Sequence, residues 1–118
     1  MYRYTENHFD ASRNTIALMG GERRYILSDP ANCPQMDLYE KGHPSARHSK
    51  VDWSNPDIEK YPNFKEIKVH EIVLQAGDAL YLPTNYFHYI ISLDRNYQCN
   101  TRSGRVEASF KAIKKCGF

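Results

Sequence analysis

The chain has 118 residues, of which 41% are apolar and 13% aromatic, with 16 basic against 14 acidic side chains. That suffices for one globular domain, residues 1–118, with a modest core, and excludes a disordered chain. A net charge of +2 without a long Lys/Arg run does not indicate nucleic acid, and no apolar run has membrane-spanning length.

In chain order, the first third reads as β. A short strand ends on His8-Phe9-Asp10, a second covers 14–19 (NTIALM), Gly20-Gly21 forms a hairpin turn, and a third strand covers 23–27 until Asp29-Pro30 stops it. Residues 30–66 are an irregular insert with five of the six prolines and the only Trp. Helical turns are expected at 31–37 and 55–61, the second from Asn55 as cap and Pro56 at the first helical position. Strands return at 68–74, 79–82, 86–93 and 97–101, punctuated by Ala76-Gly77-Asp78 and Pro83. A terminal helix over 105–115 turns its lysines to solvent, with Gly117 past its end. Short strands with Gly, Pro and Asp turns predict a mainly β sandwich or jelly roll.

Cys33, Cys99 and Cys116 form no CxxC pair and are odd in number. They read as reduced thiols in an intracellular compartment such as cytoplasm or nucleus, with Cys99 a small buried core residue. His43 and His48 near Cys33 match no zinc spacing and read as surface loop, and His70-Glu71 as exposed strand.

The chemistry-bearing pattern is His8-x-Asp10 and, 80 positions on, His88 in a strand. Residues two apart in a strand share a face, so His8 and Asp10 project together while Phe9 packs behind them. His88 shares its face with Tyr86, Ile90 and Ser92. Two histidines and one carboxylate on one face of a metal make the facial triad of non-haem Fe(II) oxygenases, which leaves positions open for a co-substrate and oxygen. The structural alternative is a frayed His8, Asp10 capping a turn and His88 as a hydrogen-bonded core residue; spacing alone divides the two about evenly.

Three segments carry a wider resemblance: HFDASRNTIALMGGERRYILSDP, SKVDWSNPDIEKYPNF and AGDALYLPTNYFHYIISL. Together they resemble the JmjC-type, cupin-like Fe(II)/2-oxoglutarate oxygenases over roughly residues 5–101, with the nearest likeness to the asparaginyl hydroxylase that inhibits hypoxia-inducible factor. The resemblance implies a double-stranded β-helix, with His8, Asp10 and His88 as the ligands of Fe(II). It matches Thr5 to a hydroxyl on the distal carboxylate of 2-oxoglutarate. Arg23 stands where this subgroup has a lysine paired with that carboxylate, and a guanidinium can bind a carboxylate in bidentate fashion. Asn14 and Asn100 match amides near the metal-bound end of the co-substrate. Without the resemblance, Thr5, Asn14 and Arg23 read as a β-former, a turn residue and a solvated strand position.

Two departures stand out. Against the eight-stranded pattern that the resemblance implies, this sequence is expected to lack the first strand or strands before His8, and Asn100-Thr101-Arg102-Ser103-Gly104 stands where an aromatic continuation is expected. The expected function is an Fe(II)- and 2-oxoglutarate-dependent dioxygenase, a hydroxylase acting on a protein or other macromolecular side chain. The alternative is a degenerate cupin-like domain that serves as a structural or interaction subunit, its β-core completed by a partner chain.

Overall fold

The computed structural model describes residues 3–118. Seven strands cover β1 Arg3–Phe9, β2 Arg13–Gly20, β3 Glu22–Ser28, β4 His70–Gln75, β5 Ala79–Leu82, β6 Phe87–Ser92 and β7 Tyr97–Ser103. All pair antiparallel, in a four-stranded sheet of order β1-β6-β3-β4 and a three-stranded sheet of order β5-β2-β7. The mainly β, jelly-roll reading holds.

Alternation explains how the two sheets face each other. Ile16 and Leu18 of β2, Tyr25 of β3, Leu74 of β4, Leu82 of β5 and Ile90 of β6 form one buried cluster between them. Each comes from one parity of its strand, so the residues of the other parity are turned to the outer faces. A second cluster lies behind the four-stranded sheet, where Phe9 and Phe87 meet Cys33, Met36 and Ile113. Phe9 therefore packs behind the His-x-Asp pair, as its parity requires.

Gly20-Gly21 is not a hairpin turn. β2 belongs to the three-stranded sheet and β3 to the four-stranded one, so the chain crosses between sheets at this point. Gly21 has φ +77°, and a Cβ there would collide with the Arg95 carbonyl oxygen. The glycine pair is needed for a crossing, which leaves the same local signature as a hairpin.

The insert holds two 3-10 helices, Pro30–Gln35 and Pro62–Glu66. The first is capped by Asp29, whose Oδ1 accepts the Ala31 N–H at 2.8 Å. The helical turn expected at 55–61 is instead a run of turns, closed by Tyr61 N–H donating to the Asp57 carbonyl at 2.9 Å. It is Pro62 that starts a helix, using its fixed φ and missing donor. The terminal helix is shorter than expected: a 3-10 turn Glu107–Ser109 and then α1, Phe110–Lys114. Ile113 is buried while Lys111 and Lys114 face solvent, and Gly117 follows with φ +90°.

Both cysteine expectations are corrected. Cys33 and Cys116 form a disulfide across a separation of 83 residues, tying α1 to the first 3-10 helix. An odd count conceals one distant pair, and the argument for a reducing compartment, which rested on three thiols, loses its ground. Cys99 is exposed rather than buried. It pairs in register with Ala17 on the outer face of the three-stranded sheet, where Met19, Tyr81 and Tyr97 are also exposed.

Candidate metal centre

His8, Asp10 and His88 come together, one ligand atom of each lying within 4.8 Å of the others. Among the described residues this is the one such group of His, Cys, Asp and Glu, so His43, His48 and Cys33 do not assemble a site.

The register of β1 on β6 makes the meeting possible. Thr5 lies opposite Ile90, while His8 lies opposite His88 and Phe9 opposite Phe87, with a bulge between Thr5 and His8. Three positions separate Thr5 from His8, which in a regular strand would place them on opposite faces. The extra residue of the bulge reverses the parity, and both face inward.

Each imidazole is oriented by a carbonyl. His8 Nδ1 is 2.8 Å from the Glu6 oxygen and His88 Nδ1 is 3.1 Å from the Tyr86 oxygen. Nδ1–H donates in both rings, leaving both Nε2 lone pairs pointing at the same place. Asp10 Oδ2 lies 3.5 Å from each Nε2. Its other oxygen is taken by Arg47, with Nη1 at 2.9 Å from Oδ1. Arg47 also donates to the Phe9 carbonyl at 3.2 Å, and the Asn85 N–H donates to the Asp10 carbonyl at 2.9 Å. The His48 ring stacks on His8 at 4.9 Å.

The electrostatics follow. When His8 takes a second proton, on Nε2, that N–H facing Asp10 Oδ2 holds the Asp10 carboxyl far below the usual carboxylate range, against the opposing effect of burial. Burial, then the nearby His8 charge, pushes His88 down to about 4, so its imidazole is neutral near pH 7. Burial also lowers His8, but the Asp10 carboxylate and the Glu6 carbonyl outweigh it and raise its pKa. Two imidazole nitrogens and an ionised carboxylate converging with their outer atoms tied down fit a divalent first-row metal of the Fe(II) kind.

The remaining predicted residues fall on the inward faces. Thr5 is inward by register and exposed. Arg23 lies opposite Ser92 and Leu74; its Nη1 donates to Tyr25 Oη at 3.3 Å and also to Gln98 Oε1, and its buried Nε has no partner. Asn14, buried, and Asn100, exposed, lie on β2 and β7 of the facing sheet, in the rows of Leu82 and Ile16. Asn100 Oδ1 accepts from Gln98 Nε2 at 2.8 Å, while Asn14 Oδ1 is buried without a partner.

Arg47 and His48 escape a reading of the sequence. They sit in an aperiodic loop 37 and 38 residues from Asp10, and nothing local marks them as neighbours of the site; their closeness appears only once the loop lies along the end of β1.

Comparison with known proteins agrees with this geometry. The sequence profile of the cupin-like domain matches residues 3–103. The chain belongs to the cupin-like domain family. It is 38% identical over 85 residues to the tRNA wybutosine-synthesizing protein 5 of Gallus gallus, covering 72% of this chain and 25% of that protein. It is 31% identical over 85 residues to the Jumonji C domain-containing protein 5 of Drosophila melanogaster, covering 72% and 21%. It is 32% identical over 95 residues to the HSPB1-associated protein 1 of Rattus norvegicus, covering 77% and 19%. None of these three is the asparaginyl hydroxylase that the motifs resemble. The cupin-like chain spans a quarter or less of the length of these relatives.

Proposed function

We propose that this cupin-like chain carries the site of an Fe(II)- and 2-oxoglutarate-dependent dioxygenase, a hydroxylase acting on a protein side chain. The observation that carries the reading is the convergence of His8 Nε2, His88 Nε2 and Asp10 Oδ2, with each remaining hydrogen-bonding atom tied to a carbonyl or to Arg47. Iron and 2-oxoglutarate, when bound, supply oxygen activation and the oxidising equivalents for C–H hydroxylation. The chain's own contribution is to hold, orient and exclude water. His8, Asp10 and His88 would hold the metal on one side. Arg23, with its unpaired buried Nε, would receive the distal carboxylate beside the Thr5 hydroxyl, and Asn14 and Asn100 would border its other end. The whole of 1–118 would act as one domain, with 30–66 as its insert.

The likeness of the motifs to an asparaginyl hydroxylase and the near-neutral charge support a protein substrate. One relative is named for wybutosine synthesis in tRNA, which makes RNA the competing substrate.

A second reading has its own support. The outer face of the three-stranded sheet exposes Met19, Tyr81 and Tyr97, and β7 lies at a sheet edge. A further strand or partner chain packing there would suit a structural subunit. No helix among the described residues is long and apolar enough to cross a membrane.

The deciding experiment is an anaerobic titration with Fe(II) and then 2-oxoglutarate, watched for the visible charge-transfer band of the chelate. A band in the parent chain that is lost in His88→Ala supports the oxygenase. A folded parent with no band supports the structural subunit.

A further inference from the structure

A cavity lies on the opposite side of β1 and β6 from His8, Asp10 and His88. Tyr89 alternates with His88 and Ile90 along β6, so its ring points outward, away from the three ligands. There the insert packs beside it and borders the open cavity of about 320 Å³, whose Tyr4, Glu6, Lys50 and Asp52 are exposed. The walls are aromatic: the Tyr4 ring stacks on Tyr89 at 5.9 Å and 9°, and Trp53 tilts toward Tyr89 at 6.0 Å. Glu6 and Asp52 line the same cavity, with Lys50 as its single cation. The Lys50 ammonium stands over the Tyr39 ring, 5.7 Å from its centre.

The hydrogen bonding is incomplete. Tyr89 is 3% exposed, and its buried hydroxyl has no partner. The Trp53 indole N–H is likewise buried and unpaired. Glu6 forms no ion pair among the described residues, and Asp52 spends Oδ1 on Ser54, leaving Oδ2. Burial pushes the Tyr89 hydroxyl up to about 12, so at neutral pH it stays protonated and can still accept a bond. An occupant must suit aromatic faces and supply donors to a phenol oxygen and two carboxylates. It must also offer an acceptor to an indole N–H. A lone ammonium is poor at stacking, and a phosphate would be repelled by the carboxylates. A guanidinium is planar, stacks on aromatic rings and carries five donors in a fork. A peptide carbonyl beside it would meet the indole.

We propose that the Tyr4–Trp53–Tyr89 cavity binds an arginine side chain of a protein partner or substrate, its guanidinium against the rings and directed at Glu6 and Asp52. This holds whether or not the metal site is an oxygenase. The docking surface would give that site a means of holding a protein close to it.

Trp53 is the only tryptophan, so its fluorescence reports on the cavity directly. The probe is the tripeptide acetyl-Gly-Arg-Gly-amide, set against acetyl-Gly-citrulline-Gly-amide, which keeps the shape and loses the charge. The expected result is a saturable change with the arginine peptide and at least tenfold weaker binding of the citrulline peptide. Glu6→Gln and Tyr89→Phe should each weaken arginine binding several-fold, in protein whose folding is verified by circular dichroism. The Fe(II) titration of each variant is run in parallel, so that loss of the metal site is read separately from loss of this one. Equal binding of the two peptides, no saturable change with arginine, or unchanged affinity in both variants would each overturn the proposal. Adenosine monophosphate binding more tightly than the arginine peptide would overturn it too, in favour of a base-stacking slot.

Discussion

Arg47 places its guanidinium 2.9 Å from Asp10 Oδ1, and so turns the other carboxylate oxygen toward His8 and His88, 3.5 Å from each ring nitrogen. The arginine is half exposed, so the pair contributes at most about 1 kcal/mol to folding. Its effect is on orientation. Arg47→Ala should leave the thermal midpoint nearly unchanged and weaken Fe(II) binding about tenfold, as partners of metal ligands do. Anaerobic calorimetry measures both quantities, and an unchanged or raised metal affinity would remove Arg47 from the site.

Arg23 is tested by separating metal from co-substrate. Arg23→Ala should retain the parent Fe(II) affinity and lose at least tenfold in 2-oxoglutarate affinity, because an arginine–carboxylate bond to a buried partner is worth about 1.5–3 kcal/mol. Arg23→Lys, which keeps the charge, should recover part of the loss. Equal losses for metal and co-substrate would mean that the side chain only supports the fold.

The metal-free protein should be sensitive to acid. His88 in the fold has a pKa near 4 against an ordinary 6.5, so the unfolded chain takes up a proton that the folded chain refuses. Stability therefore falls as pH drops from about 6.5 toward 4, by up to about 3 kcal/mol. Asp10, held low, adds a further loss as pH falls through and below the ordinary carboxylate range. His8 works in the opposite sense: its raised pKa contributes stability below 6.5 that is lost as pH rises through the folded value. Urea unfolding from pH 7 to 4 measures the sum, and an NMR titration of the His88 ring isolates its part. A His88 midpoint at 6 or above would contradict this account.

The Cys33–Cys116 disulfide closes a long loop and lies in the cluster behind Phe9. Reduction, or Cys116→Ser, should lower the unfolding free energy by about 2–4 kcal/mol. Without reductant, iodoacetamide should add a single adduct to the folded protein, at the exposed Cys99. Three adducts on the folded, unreduced chain would show the thiols to be free.

Much of this protein is legible in the chain because strands have a period of two and end at Gly, Pro and Asp. The seven strands, the inward His8, Asp10 and His88, and the packing of Phe9 behind them follow from that period. Apart from the helix bounds at 55–61 and 105–115, the misreadings share one cause, which is that they depend on partners distant in sequence. Gly20-Gly21 has the same local signature in a hairpin as in a crossing between sheets. Cys99 could be placed on an outer face only once its strand was paired with Ala17. The disulfide joins residues 83 apart.

The sequence by itself determined which residues could be ligands, since residue type and parity are local properties. Only the tertiary structure decided that they meet. The bulge between Thr5 and His8 sets His8 opposite His88 instead of Phe87, and Arg47 arrives from an aperiodic loop to turn Asp10. Register between strands and the path of a loop are set by packing against distant side chains, and no short stretch of chain contains that information.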